Sequence, residues 1–144
     1  VQEYETTDGE LEEISRNYFA ECSETQDVYY FGEEVDIYDD GEIVSHEGAW
    51  RAGQNEAQPG IIFPGGAFIL GARYYQEIAP DVALDRAEHT GSDLDFSVPA
   101  GDYSSCVEIT ETTSLEKHEE SIKYYCHGVG LVFDDDLELV LIFE

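Results

Sequence analysis

Apolar and polar residues alternate with a period of two along most of the chain, and no long segment keeps the 3.6-residue spacing of an amphipathic helix. The stretch 11–20 is ambiguous: Leu11, Ile14 and Tyr18 suit a short helix, whereas its neighbours favour a strand. Residues 27–32 (DVYYFG) form a β-type run of valine and aromatics. The clearest local signal is VDIYDDGEIVSH at 35–46. Asp40-Gly41 suits a two-residue type I′ turn, because both residues tolerate positive φ. Counting outward from that turn pairs Tyr38 with Ile43 and Val35 with His46. Further strands are expected at 71–78, 82–89, 94–98, 103–112, 119–126, 129–133 and 137–143, with Val98-Pro99-Ala100-Gly101 as a type I turn. About eight or nine short strands at this spacing predict an all-β fold: a single antiparallel curved sheet, an open barrel or a sandwich. The whole of 1–144 reads as one domain without repeats or long linkers, with 1–10 as a flexible or edge segment.

Charge restricts the function classes. The chain has 34 Asp plus Glu against 6 Lys plus Arg, a net charge of -28 over 144 residues. Such a polyanion repels nucleic-acid phosphates and anionic lipid, so neither is an expected partner. No apolar run approaches the ~18 residues that suggest a membrane span, so membrane insertion is not expected. With 42% hydrophobic residues, the chain nevertheless has the material for a core. The acids concentrate in the two end segments. The glycine- and proline-rich stretch 53–72 holds only Glu56, so an apolar loop is expected over 57–71. The acidity fits a salt-adapted or secreted surface, divalent-cation binding, or a docking face for a basic partner. The chain has no methionine and opens on Val1 and polar sequence, which fits an exported, processed product or a trimmed one.

Candidate chemistry is sparse. A hairpin centred on Glu116 would set Cys106 opposite Cys126, within disulfide reach, with Cys22 left over; two buried thiols, or a bridge to Cys22, are the alternatives. Asp36, Asp39, Asp40 and Glu42 at one turn, and Asp134, Asp135 and Asp136 at another, are candidate calcium ligands, since calcium accepts hard oxygens in flexible geometry. A solvated charge run is the simpler reading of each. No other cofactor is implied. His46, His89, His118 and His127 show no local metal spacing, and neither a GxSxG elbow nor a phosphate loop is present. The Tyr29-Tyr30, Tyr74-Tyr75 and Tyr124-Tyr125 pairs each place one ring toward a core and one outward. Trp50, beside Arg51 and ahead of the apolar stretch, is the best single anchor for a ligand or partner. Ile61, Ile62, Phe63 and Phe68 complete that expected contact surface.

Three stretches resemble a family of uncharacterised, exported bacterial proteins. They are residues 28–64, with YFGE, EGAW, AG and PGI; 74–88, YYQEIAPDVALDRAE; and 98–132, with VPAG and KYYCHGVGLV. The similarity covers most of 11–143. It implies a β-rich curved-sheet domain outside the cytoplasm, in the periplasm, at the cell surface or secreted, and it implies no activity. Members usually carry further β-sequence before the stretch that Leu11 opens, and they often have Pro-Gly where this chain has Lys117-His118. A missing strand pair would leave a sheet edge open to a second copy or a protein partner. The expected function is therefore a non-catalytic binding or assembly module. The alternatives are a calcium-stabilised structural protein and an enzyme with a pocket in the curved sheet.

Overall fold

The computed structural model describes residues 1–116 and 120–143. They form thirteen strands: β1 (Gln2–Thr7), β2 (Glu10–Glu21), β3 (Val28–Asp39), β4 (Glu42–Ser45), β5 (Trp50–Arg51), β6 (Gln58–Phe63), β7 (Arg73–Tyr75), β8 (Glu77–Ile78), β9 (Asp85–Val98), β10 (Gly101–Thr113), β11 (Glu120–Cys126), β12 (Gly130–Asp134) and β13 (Leu137–Glu138). The protein is all-β. One antiparallel sheet runs β1-β2-β3-β6-β8, with β4 and β5 also on β3, and the other runs β13-β12-β11-β10-β9-β7. Neither closes into a barrel. The chain divides into two compact units, Val1–Gly66 with Tyr75–Asp85 and Ala67–Tyr74 with Arg86–Glu144.

Turn chemistry positions the first sheet. Asp40 and Gly41 take φ of 51° and 79°, as a type I′ turn requires, and Tyr38 pairs with Ile43 as counting from the turn predicts. A bulge between Ile37 and Tyr38 then shifts the register, so Ile37 meets Ser45. Val35 therefore does not ladder with His46; its carbonyl instead accepts a hydrogen bond from the His46 ring, 2.7 Å away at Nδ1. The same Asp-Gly chemistry at Asp8 (55°) and Gly9 (87°) joins β1 to β2, which makes residues 2–7 the sheet's fully exposed edge strand. Residues 11–20 are strand, not helix.

Two expectations change. Residues 58–63, expected in a loop, form β6 between β3 and β8. Gly60 permits this: a Cβ there would lie 2.1 Å from the Gln76 carbonyl oxygen, so only glycine lets the two backbones close. The expected strand at 137–143 stops at Glu138. Leu139 still donates to the Val132 carbonyl, but its own carbonyl turns to the Ala100 N–H. Val140, Leu141, Ile142 and Phe143 are left exposed without ladder partners.

In the second unit β10 and β11 run in the register counted from Glu116, with Cys106 opposite Cys126, and the two form a disulfide. It lies in a core with Val98 and Val132, against which Phe96, Tyr124 and Phe133 pack. The turn holding Lys117 and His118 lies outside the described residues.

Candidate functional site

The first unit carries the notable chemistry, because its sheet has one face that is both buried and polar. Along β2, alternation turns Glu13, Ser15 and Asn17 to one side. Register continues that face across the sheet: Glu3 is opposite Ser15, Asn17 opposite Glu33, and Glu33 opposite Trp50. Ser15 and Asn17 are buried, and so are Tyr30 and Trp50. Buried polar groups need partners. The Asn17 amide donates to Glu3 Oε2 at 2.6 Å, Ser15 Oγ lies 3.3 Å from that oxygen, and the Tyr30 hydroxyl donates to Asn17 Oδ1 at 2.6 Å. The Val1 ammonium donates to the Asn17 backbone carbonyl at 2.9 Å. Trp50 stands edge-on to Tyr30, ring centres 5.3 Å apart.

The opposite face holds the cations. Arg16 pairs with Asp36 at 3.0 Å, and Arg51 pairs with Glu34 at 2.9 Å while its guanidinium lies 4.0 Å over the Tyr18 ring. Gly32 makes this junction possible. At φ 121° a Cβ there would lie 2.3 Å from the Trp50 carbonyl oxygen, so β5 can pair with β3 only past a glycine.

A cleft of about 440 Å³ opens beside β5. Glu33, Trp50 and Arg51 line it with the apolar wall of Ala79, Pro80 and Val82, and the exposed amides Gln54 and Asn55 sit at its rim. Two of its groups lack the partners their burial calls for. The Trp50 indole N–H is buried without an acceptor. Glu33 is half-buried and makes no ion pair among the described residues. Burial pushes its carboxyl up to about 6, with Glu13, Glu3 and Asp85 adding to the rise and the Tyr30 hydroxyl partly opposing it.

The other sequence candidates go elsewhere. Asp36 is held by Arg16 and by His46, whose Nδ1 is 3.0 Å from its carboxylate. Asp39 and Asp40 line a hollow of about 470 Å³ with Glu10 and Glu12, and Glu42 is exposed at the start of β4. Asp134 pairs with Lys123, and Asp135 accepts from the Ile122 N–H. No group of three His, Cys, Asp or Glu side chains able to hold a metal forms among the described residues. Cations hold Asp36 and Asp134, and a backbone amide holds Asp135. Trp50 and Arg51 reach the cleft, whereas Ile61, Ile62 and Phe63 are half-buried in β6 and Phe68 stacks on His89 at 3.7 Å. Ile62 packs on the cluster of Tyr30, Trp50, Ala57 and Ala79. His89 is buried with its ring near the Ile69 carbonyl and the Tyr74 hydroxyl, and burial lowers its pKa. Cys22 is unpaired with any other cysteine.

Sequence reasoning passed over Glu33. Among 34 acids nothing in its local sequence marks it; only the register across β2, β3 and β5 does. No family model, curated protein or solved structure matches the chain.

Proposed function

We propose that this protein is a non-catalytic binding module working outside the cytoplasm, with the cleft beside β5 as its ligand site. One observation carries the reading: a cleft lined by the Trp50 side chain and by Glu33, a half-buried carboxylate that has no cation among the described residues. Burial of an unpaired carboxylate is unfavourable, and a ligand that supplies its partner explains it. The disulfide between Cys106 and Cys126 and the acidic surface support an oxidising, extracytoplasmic setting. Binding fits better than hydrolysis, because Arg51 holds Glu34 and so withdraws it from any two-carboxylate pair with Glu33.

Trp50 is the single tryptophan, so its indole N–H resonance reports on the cleft alone. In a panel of sugars, amino-acid derivatives and organic cations, at least one class shifts that resonance saturably. If none does, the reading fails.

Assembly through sheet edges is the second reading. It is favoured by the fully exposed edge strand β1 and by the exposed run Val140 to Phe143. Light scattering at micromolar concentration tests it, and a strict monomer removes it.

A further inference from the structure

We propose that the occupant of this cleft is the basic side chain of a partner peptide, its ammonium or guanidinium set against Glu33 and its methylene stem laid along Trp50, Ala79, Pro80 and Val82. The inference rests on the cleft being a ligand site and adds which ligand it takes.

The first argument is the charge around Glu33. The groups acting on it are the Tyr30 hydroxyl from β3, Glu13 from β2, Glu3 from β1 and Asp85 at the start of β9. All are acidic or neutral. Arg51, which also lines the cleft, is engaged by Glu34 and lies over Tyr18. A half-buried carboxylate among other carboxylates is unfavourable until a cation arrives, and an arriving cation gains the interaction in a site partly shielded from water. An anionic ligand meets the Glu33 carboxylate there, and must compete with Glu34 for Arg51.

Shape is the second argument. Ala79, Pro80 and Val82 give the cleft an apolar wall, and its volume of about 440 Å³ is within the size range of small-ligand pockets and ample for one long side chain. Lysine and arginine pair an apolar stem with a charged head, so they bury the stem on such a wall while the head seeks a carboxylate. A bare metal ion has no use for that wall, and no three-ligand group forms among the described residues. Finally, a net charge of -28 steers cationic partners toward the protein at long range.

The test compares two peptides by the Trp50 indole resonance and tryptophan fluorescence: acetyl-Ala-Lys-Ala-amide and its uncharged counterpart with norleucine at the central position. The lysine peptide is expected to bind saturably, and the norleucine peptide about tenfold or more weaker, as loss of one partly desolvated charge pair implies. Glu33→Gln lowers lysine-peptide affinity by a similar factor. So does Gln54→Lys, an exposed change at the rim that leaves the interior untouched. Affinity also falls between pH 7.5 and pH 5, as Glu33 takes up its proton. Equal binding of both peptides overturns the choice of ligand while leaving the cleft as a binding site. Lysine-peptide binding unchanged by both substitutions puts the contact on the general acidic surface and overturns the inference. A Trp50 resonance that neither peptide moves overturns it as well, and the broader panel then decides whether the cleft binds anything.

Discussion

The two units bury charge in opposite ways. In the second, Lys123 is half-buried, yet its ammonium lies 2.9 Å from Glu111 and 3.2 Å from Asp134. Burial alone would lower its pKa, but the pull of Glu111, Tyr125 and Asp134 outweighs burial and holds the lysine charged. Ile109, its partner on β10, is almost wholly inaccessible, as are Cys106 and Val132 in the same sheet, where Phe96 stacks on Tyr124 at 4.0 Å. In the first, Glu33 is half-buried among other acids and rises toward neutrality for want of a cation. Its neighbours are Ser15, Asn17 and Tyr30, and the buried apolar cluster there is small: Tyr30, Trp50, Ala57 and Ala79. A paired charge serves the fold. An unpaired one is tolerated at a cost, and such tolerance concentrates at functional sites.

The largest test of this contrast is removal of the disulfide. Replacing Cys106 and Cys126 by alanine frees a chain loop with a sequence separation of 20, and loop closure of that size is worth about 3 kcal/mol. Hydrogen exchange should quicken in β10, β11 and β12 while β2 and β3 keep their protection. Uniform loss across both sheets would break the comparison, because the two units would then unfold as one.

Next in size is Lys123→Met. It leaves Glu111 and Asp134 without their ammonium, and breaking a buried pair from one side is expected to cost about 2 kcal/mol in denaturant unfolding. A neutral result would mean that the pairing adds nothing beyond apolar burial.

Glu33→Gln should act in the opposite direction. The unfolded carboxyl titrates near 4.5 and the folded one near 6. In that window the native state holds the proton more tightly, so stability falls as pH rises through it. The penalty is absent below the window and complete above it. Discounted for partial exposure, it amounts to about 1 kcal/mol. The glutamine variant should therefore be more stable than the parent at pH 7.5 and equal to it at pH 4. Lower stability at pH 7.5 would show that Glu33 is structural.

The smallest effect is expected from Arg51→Gln. Its partner Glu34 is more than half exposed and the ring of Tyr18 is also partly exposed, so the loss should stay below about 1 kcal/mol. A larger loss would mean that Arg51 braces β5 and is part of the fold rather than of the rim.

Much of this was legible in the sequence where the deciding signal was local. Asp40-Gly41 fixes a turn by backbone chemistry, and counting from a turn fixes a register, which is how Cys106 meets Cys126. Asp8-Gly9 carries the same signal, but it sits in polar sequence without the hydrophobic alternation that marks flanking strands. The stretch 58–63 read as loop because glycine and proline usually mark loops. Yet Gly60 is there to let Gln76 approach, a requirement set by the backbone between β7 and β8, sixteen residues away in sequence.

By itself, then, the sequence determined the class of the protein. Alternation of period two, Asp-Gly turns and valine- and tyrosine-rich runs commit it to antiparallel sheets. Tertiary structure decided what the acids do. Thirty-four carboxylates are chemically alike along a chain, and they become different only when register and burial assign each its dielectric and its neighbours. That assignment gives Asp36 an arginine, gives Glu111 a lysine, and leaves Glu33 in a cleft with neither.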